Sequence, residues 1–325
     1  MAGLAEMQVT TYEHREKKPA DAIADNIAFL AYLRSKGRVK TVNGGRVIWE
    51  AIKWAQNQYV QRIDANERIA IGYNQTLTGF EYSPKIIVVP TVINALEEAQ
   101  NQGEAEFLDL WDEREDAAES SLINAVETDL QGDGTGFGGK ALAGIKTYIP
   151  TTSTTGTVGG LDRAVYTSIQ NVSVDAPTTF TGATDSSNIE SRVRYVKNRL
   201  VRNGAPDLFL AGETYFNAGC DAASAKQRIT KNEEMAKLGF DNVMIAGMTM
   251  ILAAGKVFSG SSRIAADRGY LVRSETMALR MYKGFNFQPV PKRMSFDQLV
   301  EAGISVGIGN LTSNNPGLNG VMWDS

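Results

Sequence analysis

The sequence predicts an α+β fold that combines long helices with β-rich stretches. Apolar residues recur at helical spacing in three segments, 20–36, 104–130 and 187–203. Two β-rich segments, 46–56 and 76–93, flank a polar stretch, which predicts a long hairpin. The final third, 270–323, alternates short apolar runs with turn residues, a pattern typical of strands.

The composition excludes several kinds of chemistry. The chain has 325 residues, enough for about two domains, and a net charge of −4, which disfavours general nucleic-acid binding. One cysteine, Cys220, and one histidine, His14, cannot form a disulfide framework, a Cys/His zinc site or a Cys–His dyad. We expect a solvated His14 and a Cys220 that packs as a small hydrophobe. The sequence predicts neither a membrane span nor a secretory signal.

The charge is unevenly distributed along the chain. Residues 1–130 carry 13 bases and 21 acids, a net −8, and residues 131–325 carry 20 bases and 16 acids, a net +4. Segment 92–130 has twelve acids and one base, Arg114, whereas segment 263–293 has seven bases and two acids. Two interpretations remain open: two solvated faces of opposite sign, or complementary surfaces within a subunit or between copies.

The first helix and the hairpin are predicted in chain order. Helix 20–36 buries one stripe, and Gly37 ends it. The turn signal Asn43-Gly44-Gly45 precedes the hairpin, whose extended tip is 57–75. A hairpin alone is marginally stable in water, so this one needs cover from its own core or from neighbouring chains. The helix stripe consists of Ile23, Ile27, Leu30 and Leu33.

Segment 104–130 has the strongest helical pattern in the chain. Its 27 residues would span about 40 Å. The apolar stripe is narrow and the remaining surface is acidic, so this helix is predicted to be a spine. The glycine-rich loop 132–139 ends it. The stripe consists of Phe107, Trp111, Ala118, Leu122 and Val126.

Later elements follow the same rules. A Thr/Gly/Ser-rich loop or domain crossover is predicted at 150–160, and helix 187–203 is predicted to begin with a Ser187–Glu190 capping box. Strands are predicted at 208–211 and 243–252. The helix stripe is Ile189, Val193, Val196 and Leu200, and Gly204 with Pro206 ends the helix. The basic side chains favour a solvated face over a phosphate contact: Arg192, Arg194, Lys197, Arg199 and Arg202. The methionines expected in a core are Met244, Met248 and Met250.

The loop at 129–141 partly matches three ligand motifs. Residues 134–139 read G-x-G-x-x-G, but they follow a helix C-terminus, where the dipole repels phosphate. Residues 134–140 read G-x-x-x-x-G-K, with Ala141 in place of Ser or Thr. Residues 129–134 begin like a calcium loop, but Lys140 replaces the Glu at position twelve. We expect a helix cap and turn, and no catalytic, cofactor or metal residue. A nucleotide-binding enzyme using 132–140 is the remote alternative.

Five stretches in this order resemble the major capsid proteins of tailed bacteriophages, whose fold is named for phage Hong Kong 97. The first runs from Asp25-Asn26-Ile27 through 33–45, and the second is 96–105. The third is Gly132-Asp133-Gly134-Thr135-Gly136, and the fourth is Gly160-Leu161-Asp162-Arg163-Ala164. The fifth is Gly309-Asn310-Leu311-Thr312-Ser313, with Asn315 and 318–321.

The resemblance implies a division of the chain. Residues 1–45 would form an N-terminal arm and helix, and 46–93 an extended loop (E-loop) lying over a neighbouring subunit. Residues 94–149 and 264–325 would form the peripheral domain with its spine helix 104–130. Residues 150–263 would form the axial domain, which clusters at five-fold and six-fold centres.

The resemblance also implies a function. The chain would be a structural protein, not an enzyme, that self-assembles into an icosahedral shell around double-stranded DNA without sequence specificity. Its partners would be copies of itself in pentamers and hexamers, a separate scaffolding protein, a portal protein and a decoration protein. It would reside in the virion after assembly in the bacterial cytoplasm. The encapsulins, compartments that enclose cargo proteins, share the fold and are the nearest alternative.

Overall fold

A computed structural model of the chain describes residues 27–100, 110–202, 204–225, 242–253, 263–294 and 299–325. The helices are α1 Ala28–Ser35, α2 Ala95–Gln100, α3 Leu110–Gln131, α4 Gly136–Gly139, α5 Ile145–Tyr148, α6 Ala176–Thr179, α7 Ile189–Leu200 and α8 Glu213–Ala225. Short 3₁₀ turns span Thr167–Ile169, Ser274–Thr276 and Pro316–Leu318. The first strands are β1 Val39–Val42, β2 Ile48–Lys53, β3 Leu77–Tyr82, β4 Lys85–Asn94, β5 Thr157–Val158, β6 Leu161–Asp162 and β7 Val172–Asp175. The later strands are β8 Leu208–Ala211, β9 Asn242–Ile245, β10 Met248–Leu252, β11 Arg268–Val272, β12 Met277–Tyr282, β13 Gln288–Met294, β14 Val300–Ser313 and β15 Gly320–Trp323.

A five-stranded sheet is built around the long strand β14. Strands β12 and β13 pair with β14 along its length, β1 extends the sheet beside β12, and β4 pairs with the first part of β14. Helix α3 packs against β4. The larger hydrophobic core lies between α1, α3, the β2–β3 hairpin and this sheet.

A six-stranded sheet has the order β7-β15-β11-β8-β10-β9. Helices α7 and α8 cover it and bury a second apolar cluster, which includes Met248 and Met250 as the sequence predicted. Strands β11 and β15 come from the segment assigned to the peripheral domain, whereas the other four come from the segment assigned to the axial domain. The predicted boundary at 263/264 therefore does not coincide with a sheet boundary.

The first helix ends as predicted, and a strand that the sequence analysis missed follows it. Leu30 and Leu33 are buried, and Gly37 ends the helix with a φ of +63°. Ile23 lies outside the described residues. The sequence analysis predicts no strand at Val39–Val42, because these four residues bury little; they form strand β1 by pairing in parallel with β12.

The hairpin is shorter than predicted. Strand β2 pairs with β3 from Ile48↔Tyr82 to Lys53↔Leu77. The prediction that 76–93 forms one hairpin arm is wrong in its second half, because residues 86–89 belong to β4 and pair with β14. Pro84, which has no N–H to donate, lies at the break between β3 and β4.

The spine helix is confirmed over its described part. Helix α3 runs to Gln131, one residue beyond the predicted end, and buries Ala118, Leu122 and Val126. Trp111 is half-buried. The predicted start, 104–109 with Phe107, lies outside the described residues.

Two predictions near the second sheet are wrong in detail. Segment 243–252 is a hairpin of β9 and β10, because Ala246 and Gly247 adopt positive φ values of 50° and 73° and form a tight turn. The Ser187–Glu190 capping box does not form. The Asp185 carboxylate instead accepts hydrogen bonds from Ser187 N (2.8 Å) and Asn188 N (3.1 Å).

Candidate assembly surfaces

The β2–β3 hairpin has one buried face and one exposed face. Its buried face enters the larger core through Ile48, Ile52, Phe80 and Tyr82. On the other face Trp49 is 60% exposed, and its ring lies against Gly79, where a Cβ would come within 3.0 Å of it. Strand pairing therefore directs a large aromatic side chain into solvent.

The hairpin tip, residues 54–76, contains no helix or strand, and side-chain amides hold its two arms together. Gln61 donates to Ala70 O (2.7 Å) and accepts from Ala70 N (3.0 Å). The Tyr59 ring lies against Gly72, where a Cβ would come within 2.1 Å of it. Near these contacts the tip exposes Ile69, Ile71 and Tyr73 by 65%, 93% and 91%. With Trp49 and Leu77, these three side chains form what we call the hairpin apolar set.

The base of the hairpin is firmly attached to the body. Glu50 Oε1 accepts hydrogen bonds from Arg280 Nε (2.5 Å) and Thr312 Oγ1 (2.9 Å). The Tyr82 hydroxyl donates to Ser313 O (2.7 Å). The tip thus extends from a fixed base, and its apolar side chains have little contact with their own chain.

A second exposed apolar surface lies on the five-stranded sheet. In β4, Ile86, Val88 and Val92 are exposed, and the register places Ile304 of β14 opposite Pro90, on the same side as these residues. We call these four apolar residues the sheet face. Because exposed apolar patches of this kind mark interaction sites, the sheet face is a candidate contact surface.

An ion pair protects the outer edge of β4. Arg114 on α3 donates to Val92 O (2.7 Å) and to Glu97 Oε2 (2.9 Å), and Glu97 accepts from Asn94 N (3.3 Å). The hydrogen bond from Arg114 holds the pKa of Glu97 below its usual range. Side chains thereby occupy backbone groups of an edge strand that would otherwise be open to pairing.

The glycine loop follows the C-terminus of α3, in the position that argued against a dinucleotide site. Asp133 accepts hydrogen bonds from Thr135 Oγ1 (2.7 Å) and Thr135 N (3.0 Å), which hold its pKa below the usual value. Asp129 accepts from Leu142 N (3.0 Å), and Lys140 is exposed. Both acids of the calcium-like motif thus bind the loop's own backbone. Within the described ranges, His, Cys, Asp and Glu form no cluster of three or more suited to a metal ion.

Of the five basic residues at α7, Arg194, Arg199 and Arg202 are exposed, as the favoured interpretation predicts, whereas Arg192 and Lys197 are not. Arg192 is buried and donates to Thr184 Oγ1 (2.9 Å) and Gly182 O (2.9 Å). Lys197 donates to Ala246 O, and the Arg199 guanidinium lies 4.3 Å from the centre of the Tyr195 ring. Arg194 pairs with Glu190 in solvent, and Arg202 is exposed.

Cys220 is half-buried against the second core, as expected, and His14 lies outside the described residues.

In the basic segment 263–293, Arg263 donates to Thr128 Oγ1 of the spine helix (3.0 Å). Arg280 pairs with the hairpin through Glu50. Arg263 and Arg280 of the basic segment therefore make contacts within the subunit.

Comparison with solved structures identifies the fold. The capsid of cyanophage A-1(L) matches at a TM-score of 0.71 and 14% identity, covering 95% of this chain and 96% of that one. An encapsulin complex from Synechococcus elongatus PCC 7942 matches at 0.59 and 10%, covering 98% and 94%. The capsid of the Myoviridae phage XM1 matches at 0.58 and 12%, covering 96% and 97%.

No protein-family model matches the chain, and no curated protein matches it. No helix within the described residues has both the length and the apolar character needed to cross a bilayer. The structural matches span nearly the whole of each chain. The chain therefore has the Hong Kong 97-type capsid fold that its sequence resemblance implied.

Proposed function

We propose that this chain is the major capsid protein of a tailed bacteriophage, which self-assembles into an icosahedral shell around double-stranded DNA. The observation that carries the proposal is the hairpin apolar set, exposed on a hairpin that is fixed at its base within a capsid-type fold. Each fully buried apolar side chain contributes about 1.5–3 kcal/mol, so a soluble monomer gains nothing by exposing them. A neighbouring copy that covers the hairpin gains that burial at every contact of the shell.

The structure supports a revised assignment of the extended loop to 46–82, because 85–94 belongs to the five-stranded sheet. The hairpin apolar set would lie over a neighbouring subunit, and the sheet face is the matching apolar surface on the same body. The peripheral and axial domains would correspond to the five- and six-stranded sheets. Scaffolding, portal and decoration proteins complete the proposed partners, and assembly would take place in the bacterial cytoplasm.

Deleting the hairpin tip tests the proposal directly. Trp54 N donates to Thr76 O (3.0 Å), so removing 57–75 leaves Ala55 and Gln56 as a two-residue turn closing the ladder. Replacing those two residues with Asn-Gly supplies the preferred turn chemistry. We expect this variant to fold, by circular dichroism and thermal unfolding, but to form no closed shells by electron microscopy. Normal shells from the variant would refute the hairpin assignment.

The encapsulin alternative rests on a structural match as close as those to several phage capsids. Particle contents separate the two candidates. A phage shell encloses double-stranded DNA, whereas a compartment encloses protein cargo and no genome. Nuclease-treated particles purified from the native source should therefore retain protected DNA; protected protein cargo without DNA would favour the compartment.

We further propose that the chain is not an enzyme. The exposed Lys140 and the placement of the glycine loop after a helix C-terminus support this proposal. Thermal unfolding of the full chain with ATP, GTP or NAD should show no shift. A saturable shift that is lost in Lys140→Ala would instead establish nucleotide binding.

A further inference from the structure

One exposed aromatic residue in the glycine loop has an unfavourable backbone conformation. Phe137 adopts a φ of +52° and its side chain is 85% exposed. Its neighbours Gly136, Gly138 and Gly139 have no side chains, and a Cβ at Gly138 or Gly139 would meet no atom within 4 Å. Phe137 is therefore the only large side chain at the apex of this loop.

This conformation needs an explanation outside the subunit. The left-handed region is uncommon for residues other than glycine and is a genuine outlier for a bulky one. Such strain persists only where the surroundings enforce it, and it concentrates at functional sites. In its own chain the Phe137 ring gains little burial to offset the strain, and glycine would fit the same backbone freely.

The loop is held in place on both sides of Phe137. Thr147 Oγ1 donates to Asp133 O (2.7 Å), and Ala143 N donates to Asn310 Oδ1 of β14 (2.8 Å). Lys85 Nζ donates to Gly139 O (2.5 Å). These contacts hold the loop backbone on both sides of Phe137 before any partner arrives, so little backbone freedom is lost on binding.

We propose that Phe137 is an interface anchor that inserts into an apolar surface of a second copy of this chain. Lys85 places the loop beside the start of β4, and the next residue, Ile86, begins the exposed sheet face. Phe137 therefore lies near the start of the strand that carries the sheet face, a surface that the proposed shell contacts would cover. Aromatic anchors of this kind dominate the binding energy of protein interfaces. The inference rests on the proposed function and adds a second contact, separate from the hairpin.

Phe287 is a matched control within the same chain. It also has a φ of +52°, but it is half-buried and packs against the larger core. Its ring lies against Gly307, where a Cβ would come within 2.6 Å of it. The two residues share side chain and backbone strain and differ in whether their own subunit covers the ring.

The experiment compares Phe137→Gly with Phe287→Gly in the full chain. Phe137→Gly relieves strain and removes a ring that its subunit does not bury, so its unfolding temperature should rise by about 1–3 °C. Its association into pentamers, hexamers and shells, measured by sedimentation velocity and electron microscopy, should weaken at least about tenfold. Phe287→Gly should lower the unfolding temperature, and Phe137→Tyr should assemble like the wild type.

Several outcomes would overturn the anchor. Phe137→Gly could assemble as well as the wild type, or it could lose as much thermal stability as Phe287→Gly, which would mean that the ring serves its own fold. A wild-type chain that never self-associates would overturn the anchor together with the proposed function. If the hairpin deletion still forms shells but Phe137→Gly does not, the hairpin assignment fails and the anchor stands.

Discussion

A fully buried arginine, Arg163, connects a short helix to the segment that precedes strand β7. Arg163 donates to Asn171 Oδ1 (3.0 Å), Tyr148 O (2.8 Å) and Thr147 O (3.2 Å), and burial lowers its pKa to about 10. All three acceptors are neutral. The guanidinium thus joins α5 to the segment before β7. Its hydrogen bonds are stronger than those of a neutral donor because it is charged.

We expect Arg163→Met to lower the free energy of unfolding by about 3 kcal/mol, because buried acceptors lose their donors. Arg194→Met is the control: this arginine pairs with Glu190 in solvent (2.7 Å) and its loss should cost less than about 1 kcal/mol. Urea unfolding of both variants tests the comparison. Equal losses would mean that the Arg163 hydrogen bonds contribute little.

A buried carboxylate on the spine helix caps the first helix. Glu127 accepts from Phe29 N (2.9 Å), Leu30 N (2.8 Å) and Gln131 Nε2 (2.7 Å). Burial is the main influence and raises its pKa, opposed by these hydrogen bonds and by Arg263. The spine helix therefore fixes the start of α1 through a group whose ionised form is disfavoured by burial.

This pKa gives stability a definite pH dependence. Below the ordinary glutamate pKa, Glu127 is protonated in both the folded and the unfolded chain. As the pH rises above that value, the unfolded chain releases the proton first, and the free energy of unfolding falls until the folded chain releases it too. The wild type should therefore lose stability relative to Glu127→Gln as the pH rises from the ordinary glutamate pKa into the neutral range. Urea unfolding across this range measures the difference. If the wild type instead became more stable relative to Glu127→Gln as the pH rises, the hydrogen bonds to Glu127 would outweigh the effect of burial.

At the scale of elements, the start of α7 depends on a residue outside the predicted capping box. Asp185 accepts from the backbone and side chain of Ser187 and from Asn188 N, and the bond from Ser187 Oγ (2.6 Å) is the main reason that its pKa is lowered. Glu190 pairs with Arg194, one turn further along the helix (2.7 Å).

We expect Asp185→Ala to lower the unfolding temperature more than Ser187→Ala does. Asp185 satisfies two backbone N–H groups before the helix, whereas Ser187 contributes only its hydroxyl bond to the same carboxylate. Thermal unfolding followed by circular dichroism compares the two. A larger loss of unfolding temperature in Ser187→Ala would mean that Ser187, as the capping box predicts, is the main cap of this helix.

At the scale of the whole molecule, folding and assembly use different faces of one hairpin. Ile52 belongs to the buried face, and Ile71, at 93% exposure, belongs to the hairpin apolar set. The same residue type therefore serves the subunit core at one position and the proposed contact between copies at the other.

Substituting these two isoleucines should separate stability from assembly. Ile71→Ser should change the free energy of unfolding by less than about 0.5 kcal/mol and weaken assembly about tenfold. Ile52→Ser should cost about 3 kcal/mol of stability, because it leaves a cavity and buries a hydroxyl. Urea unfolding and sedimentation velocity provide the two readouts. Unchanged assembly in Ile71→Ser would remove this side chain from the contact.

The sequence by itself determined the elements whose signals are local. The periodic stripes of α3 and α7, the stop at Gly37 and the core methionines of β10 follow from side-chain spacing and backbone freedom. The fold was predicted from the order of these elements, which resembles the order in phage major capsid proteins.

Only the tertiary structure decided which partners these elements take. Strand β4 left the predicted hairpin because its backbone pairs with β14, more than 200 residues away, and no local signal encodes that choice. Glu127 is buried because the first helix, distant in sequence, supplies hydrogen-bond donors for it, whereas Arg192 is buried by the loop that precedes its own helix. Phe137 can be recognised as strained and exposed only from its φ angle and its exposed fraction, which the tertiary structure provides. Pairing, burial and strain depend on contacts distant in sequence, and these contacts define the surfaces available for assembly.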